Sequence, residues 1–168
     1  MKTAVLWMTG LSGAGKTTIA QALFQKIQEL GHKVEILDGD VIRNIFPSTG
    51  FTESERNQHV KRVGYIASLL EKHGVIVIGS LISPYRESRD FIRHLCQNYV
   101  EIYVSTPLNV CESRDPKGLY KKARKGEIKN FTGLDDPYET PSQPDIILDT
   151  SNLSVQECVQ AILAKLQR

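Results

Sequence analysis

Cysteine, long apolar runs and an excess of charge of either sign are all scarce in this sequence, and each scarcity excludes something. The three cysteines among 168 residues, Cys96, Cys111 and Cys158, stand far apart and share no C-x-x-C spacing, so neither a disulfide framework nor a thiolate zinc site is expected. That usage fits a reducing cytoplasm. No apolar stretch approaches the roughly 20 residues of a membrane span, and Met1-Lys2-Thr3 runs straight into a strand pattern without the apolar segment of a secretion signal. A soluble, cytoplasmic protein with no membrane partner is expected. The 21 basic residues are nearly matched by 19 acidic ones, a net charge of +2, too balanced to advertise a nucleic-acid partner. Any affinity for anions must be built locally. Internal repeats and low-complexity tracts are absent, and the length suits one domain, residues 1–168, large enough to bury a real core.

What the sequence has instead is Gly10-Leu11-Ser12-Gly13-Ala14-Gly15-Lys16-Thr17, with Thr18 behind it, between an apolar run (Ala4 to Met8) and a helical pattern. The spacing is G-x-x-x-x-G-K-T. Its glycines let backbone N–H groups curl round an anion, Lys16 reaches the β- and γ-phosphates of a nucleotide, and Thr17 offers a hydroxyl to Mg²⁺. The helix that follows points its positive end at the phosphates.

From Thr18 to Leu30 the apolar residues Ile19, Ala20, Leu23, Ile27 and Leu30 keep helical spacing, and Gly31 suits the residue that ends a helix. Lys33 to Leu37 alternates as a strand does and stops at Asp38-Gly39-Asp40, which puts two carboxylates at a strand's carboxyl end, the ligand edge of an open α/β sheet. Val41 to Gly50 lacks clean periodicity and is expected to be a short helical turn followed by a loop. Thr52-Glu53-Ser54-Glu55 has capping-box form and opens a helix that runs to about Gly74. Val75 to Gly79 is apolar throughout, as a central parallel strand should be. A helix from about Glu87 to Asn98, a strand Tyr99 to Val104, a helix start at Ser105-Thr106-Pro107, a strand Asp145 to Thr150 and a terminal helix capped by Ser154 complete the order. Between them, residues 115–133 carry a strongly basic run, read as a mobile cationic lid. Five strands alternating with helices, the first followed by a phosphate loop, predict a three-layer α/β/α P-loop NTPase fold with a five-stranded parallel sheet.

A phosphate loop implies a nucleoside triphosphate without choosing between a switch, a motor and a transfer. The chain has no N-K-x-D element for guanine and no further domain for a motor to move, which leaves a small-molecule kinase. Phosphoryl transfer needs positioned reactants, a magnesium site, cations and an acidic group near the acceptor hydroxyl. Asp38, Asp40, Thr17 and the basic run supply those parts.

Over nearly its whole length the chain resembles the adenylyl-sulfate kinase family. The matching pieces are GLSGAGKTT (10–18), LDGD (37–40), ISPYR (82–86), CESRDPKGLYKKA (111–123), GEIKNFTG (126–133) and DPYE (136–139). The resemblance implies transfer of the γ-phosphoryl of ATP to the 3′-hydroxyl of adenosine 5′-phosphosulfate (APS), giving 3′-phosphoadenosine 5′-phosphosulfate for sulfate assimilation or sulfonation. It implies Mg²⁺ and a homodimer, and it leaves open whether the chain works alone or in a functional pairing with ATP sulfurylase. By the same resemblance Asp40 aligns the 3′-hydroxyl or takes its proton, while Asp38 organises magnesium. Arg43, Phe51, Arg56, Ile82, Ser83, Lys117, Asn130 and Phe131 bind the acceptor, and Arg114 binds the adenine of ATP. Their chemistry suits that ligand, since Phe51 and Phe131 can sandwich an adenine while Arg43 and Arg56 pair with the phosphosulfate.

Family descriptions also give Ser83 a catalytic role through a phosphoserine. No histidine or lysine lies beside it in sequence to activate it, so the residues favour direct in-line transfer with Ser83 as a substrate contact. Where the family often has Asn, this chain has His59, and its loop between Asp40 and Phe51 is about one residue shorter. His59 is expected either to donate a hydrogen bond to the adenylyl moiety or to lie on an exposed helix face. His32, His73 and His94 are expected on the surface. Two rival readings remain: a kinase for another small nucleotide or hydroxyl compound, and a catalytically silent nucleotide-binding module. The LDGD, ISPYR and GEIKNFTG set weighs against the first, and the intact Lys16, Thr17, Asp38 and Asp40 against the second.

Overall fold

A computed structural model describes residues 1–46 and 50–167. The elements run β1 (Val5–Thr9), α1 (Lys16–Glu29), β2 (Val34–Asp38), α2 (Gly39–Ile45), α3 (Glu53–Lys72), β3 (Ile76–Ser80), α4 (Arg86–Leu95), β4 (Tyr99–Val104), α5 (Leu108–Arg114), α6 (Leu119–Arg124), β5 (Ile146–Leu148) and α7 (Val155–Leu166). All strand pairs are parallel, in the order β2-β3-β1-β4-β5. This is the expected three-layer fold. β1 and β3, the two apolar runs, are buried at every position, as strands covered on both faces must be.

Alternation along β1 divides the core. Ala4, Leu6 and Met8 pack with Ile19, Leu23 and Ile27 of α1 and Cys158, Val159 and Ile162 of α7. Val5 and Trp7 face the other way, onto Val60, Val63 and Ala67 of α3 and Ile92 of α4. The Trp7 ring lies over Gly79 of β3, its register partner, where a Cβ would come within 2.6 Å of the indole. After β1 the chain crosses toward β2, and after β4 it crosses the opposite way toward β5. The phosphate loop therefore opens at the switch between β1 and β4, where open α/β sheets hold their ligands.

Two helix starts form as the sequence dictates. Thr52 and Glu55 make a full capping box on α3, and Ser154 and Glu157 make another on α7. Elsewhere the boundaries move for identifiable reasons. α4 stops at Leu95 rather than near Asn98, because the Glu71 carboxylate takes the amides of Gln97 at 2.9 Å and Asn98 at 2.7 Å and turns the chain into β4. β5 ends at Leu148 rather than Thr150, since Asp149 accepts from the Ser151 amide and hydroxyl and begins a turn. The expected short turn after Asp40 is a helix that already starts at Gly39. Residues 47–49 of the loop that follows lie outside the described residues. Among those described, no helix is long and apolar enough to cross a membrane.

Candidate active site

The donor side is the loop between β1 and α1. Gly10 has φ +152°, and a Cβ there would stand 2.5 Å from the Val104 carbonyl oxygen, so the loop can pass against the end of β4 only as glycine. Gly13 and Gly15 also have positive φ, and Gly15 caps α1. The Lys16 side chain folds back over the loop, its Nζ donating to the carbonyls of Gly10 at 2.7 Å and Leu11 at 2.8 Å. Burial pulls its pKa down to about 8, against the upward pull of Cys111, Asp40 and Asp38. Thr17 and Thr18, in the first turn of the helix, are exposed.

Thr106, Thr150, Arg114 and Tyr120 clasp this loop from outside, and of these the sequence singled out Arg114 as a site residue. The hydroxyls of Thr106 and Thr150 donate to the Ala14 carbonyl at 3.1 and 2.8 Å. Arg114, expected near the adenine, fixes Thr150 through its hydroxyl at 2.7 Å and its carbonyl at 2.9 Å. The Tyr120 hydroxyl, from α6 in the basic segment, donates to the Ser12 carbonyl at 2.8 Å. The only sequence signal for Tyr120 was an aromatic among lysines. Thr106 and Thr150 gave none, since hydroxyl residues at strand ends are common.

The acceptor side starts at β2. Asp38 caps α2, its Oδ1 accepting from the amides of Asp40 at 2.9 Å and Val41 at 3.1 Å, a bond pair that leaves Oδ2 outside the cap. Asp40 stands exposed in the first turn of α2, and the ammonium of Lys117 pairs with its Oδ2. The basic segment thus reaches the carboxylate. Lys16, Asp38, Asp40 and Lys117 lie close enough for the last three to act on the charge of the first.

Arg43 donates to the Gly50 carbonyl at 2.7 Å, and its guanidinium lies 4.6 Å from the centre of the exposed Phe51 ring. Arg56 is buried, and its donors go to protein: Nε to the Phe51 carbonyl at 2.7 Å, Nη1 to the Thr132 hydroxyl and Nη2 to the Asn130 carbonyl. Asp136 pairs with it at 3.5 Å. One side chain therefore joins the Phe51 segment to residues 130–132. Asn130, at φ +55°, and Phe131 both give their amides to the Asp135 carboxylate, at 2.8 and 2.6 Å, and these bonds hold its pKa below the usual carboxylate range. Phe131 is buried and meets Tyr120 edge-on, with ring centres 4.9 Å apart.

Ile82 and Ser83 follow β3. The Ile82 carbonyl accepts from Thr9 at 2.7 Å. Ser83 is 2% exposed and sits at φ +41°, and its Oγ accepts from Trp7 Nε1 at 3.1 Å. Arg89 holds its carbonyl at 2.6 Å, also bonding Glu139 O at 2.6 Å and Glu101 Oε1 at 3.1 Å. Among the described residues no base hydrogen-bonds the Ser83 hydroxyl. His59 departs from the exposed alternative: it is buried, with Nε2 at 2.9 Å from the Gly39 carbonyl. Burial, then Arg43, lowers its pKa. His73 and His94 are exposed as expected, while His32 is half-buried.

Among the described residues no three His, Cys, Asp or Glu side chains cluster as a metal cage. Magnesium does not need one, because it takes one or two protein oxygens and completes its shell with phosphate and water. The Thr17 hydroxyl and Asp38 Oδ2 fit that pattern.

The sequence profile of the adenylylsulphate kinase family matches residues 2–149. The adenylyl-sulfate kinase of Rippkaea orientalis is 53% identical over 163 residues, covering 96% of this chain and 90% of its own. That of Chloroflexus aurantiacus is 50% identical, covering 98% and 89%. Among solved structures, the Mycobacterium tuberculosis APS kinase in complex with AMPPNP and APS superposes with a TM-score of 0.94 at 38% identity, covering 99% of this chain and 98% of that one.

Proposed function

Because the chain belongs to the adenylylsulphate kinase family, we propose that its residues transfer the γ-phosphoryl of ATP to the 3′-hydroxyl of adenosine 5′-phosphosulfate, in sulfate assimilation, as follows. The loop from Gly10 to Thr18 surrounds the donor phosphates with backbone N–H groups, and Lys16 turns from its own loop carbonyls to the β- and γ-oxygens. A pKa of about 8 leaves that ammonium mostly charged at neutral pH. Mg²⁺, held by the Thr17 hydroxyl and Asp38, supplies positive charge to the phosphate oxygens when bound.

Asp40 orients the 3′-hydroxyl and receives its proton as the new bond from O3′ to phosphorus forms and the bond to the β,γ-bridging oxygen breaks. ADP leaves with that oxygen. Since the transition state is loose, little base strength is required, and a solvent-exposed carboxylate that orients the hydroxyl suffices. Lys117 must let go of Asp40 for this, and its freed ammonium then faces the transferring phosphoryl group. Phe51 and Phe131 bracket the acceptor base, Arg43 faces the phosphosulfate, and Arg56 holds the two phenylalanine segments at a fixed spacing. Residues 115–133 act as the lid that closes donor and acceptor into one space and excludes water.

The observation that carries this reading is the ion pair between Lys117 and Asp40, which puts a lid cation and the acceptor-side carboxylate beside Lys16 of the phosphate loop. The test is ADP release measured with ATP, Mg²⁺ and APS, beside AMP as the alternative acceptor. Turnover with APS and little with AMP is expected. No ADP release with APS refutes the assignment.

A further inference from the structure

Of the buried polar groups that the transfer itself does not use, His59 is the one bonded to the backbone between the two site carboxylates. Its ring is 1% exposed, and its Nε2 meets the Gly39 carbonyl oxygen at 2.9 Å. A carbonyl only accepts, so Nε2 carries the proton and Nδ1 is a bare acceptor. Nδ1 is itself buried and has no hydrogen-bond partner among the described residues. The ring therefore has one bond, and it goes to Gly39.

Gly39 is gripped from a second side as well. A Cβ there would fall 2.7 Å from Leu81 Cγ, so the residue is packed against the end of β3 while the imidazole of α3 holds its carbonyl. α2 has only seven residues, and its first turn is otherwise fixed by Asp38 Oδ1. Asp40, next along, has an exposed side chain whose hydrogen-bond partner among the described residues is Lys117. Its carboxylate can be no better placed than the backbone that bears it.

Resting on the adenylyl-sulfate kinase reading, we propose that His59 is a positioning residue: through the Gly39 carbonyl it sets the backbone from which Asp40 projects, and it does not touch the acceptor nucleotide. Its effect is on the rate of transfer and not on the affinity for APS.

Two near-isosteric variants separate this from a substrate contact. Glutamine carries its amide nitrogen to about the reach of the imidazole Nε2, so His59→Gln keeps a donor for Gly39. Asparagine reaches only as far as Nδ1, so His59→Asn cannot make that bond but preserves any contact Nδ1 makes. Steady-state kinetics with ATP, Mg²⁺ and APS give kcat and the KM for APS, with rates expressed per AMPPNP-binding site so that unfolded protein is not counted. His59→Asn should lower kcat roughly 10- to 100-fold with the KM for APS within about threefold of the parent, because small misplacements cost that much where geometry is the catalyst. His59→Gln should retain kcat within about threefold. Full kcat in His59→Asn, a raised KM for APS in either variant, or loss of kcat in both overturns the proposal. A parent protein that binds AMPPNP but does not phosphorylate APS refutes the underlying function instead.

Discussion

Replacing Arg89 by methionine tests the architecture behind the acceptor loop. The guanidinium is 1% exposed and donates to Glu101 Oε1 at 3.1 Å and to the carbonyls of Ser83 and Glu139 at 2.6 Å each. Methionine fills most of the space and removes every donor. Glu101 keeps Arg93, whose Nη2 lies 3.1 Å from Oε2, so the carboxylate is not abandoned, but the buried Ser83 carbonyl is left with the 3.4 Å bond from Thr9 and the Glu139 carbonyl loses the guanidinium. Leaving a buried carbonyl short of its donor costs about 1–3 kcal/mol and losing a hydrogen bond between charged groups about 1.5–3 more, roughly 3–5 kcal/mol together. At about 2–4 °C of melting temperature per kcal/mol for a chain of this size, Arg89→Met should melt roughly 6–20 °C lower. Because the same bond holds Ser83 at φ +41°, the KM for APS should rise more than the KM for ATP. Scanning calorimetry gives the first quantity and steady-state kinetics the second. Arg89→Lys keeps the charge but cannot span three acceptors, and it should fall between methionine and the parent. A destabilisation under about 1 kcal/mol in Arg89→Met would show that this fork does not hold the loop, and the reasoning would fail.

The remaining expectations concern the reacting groups. Asp40→Ala should leave AMPPNP affinity unchanged while lowering kcat by about 10²–10⁴, the range for removing a proton-handling group; parental turnover removes Asp40 from the mechanism. Ser83→Ala should keep kcat within about tenfold, since Oγ accepts a bond from Trp7 and does no covalent work, and isolation of a phosphoserine from the parent during turnover would contradict this. Lys16 is most strongly perturbed by burial, which lowers its pKa to about 8, so its phosphate-binding form is present below that pH and lost above it. The kcat/KM for ATP should therefore decline as pH rises through about 8, and a profile flat to pH 10 would show that the ammonium is not buried in the free protein.

What could be read in the sequence was whatever is decided within a few residues. The T-x-x-E box at Thr52 and the S-x-x-E box at Ser154 each made the cap their spacing promised. β4 occupies Tyr99–Val104 as its pattern required. The phosphate loop was legible because its glycines, lysine and threonine are contiguous. What could not be read was set by partners far along the chain. Glu71 ends α4 across 26 residues of sequence, and Arg56 binds Asn130 and Thr132 more than 70 residues away. Nothing local distinguishes such an arginine from one that waits for an anion. His59 looked equally suited to solvent, because the Gly39 carbonyl that claims it is 20 residues earlier and on another helix.

The indole of Trp7 lies over Gly79 and bonds Ser83, and this joins three positions into one inherited unit. A side chain at 79 has no room while the indole is present, so Gly79→Ala should be tolerated only alongside a smaller residue at 7. That smaller residue would lack the N–H on which the Ser83 hydroxyl depends. Sequence drift in the middle of the sheet is thereby coupled to the acceptor loop, and the core at this point can diverge only where the loop diverges with it.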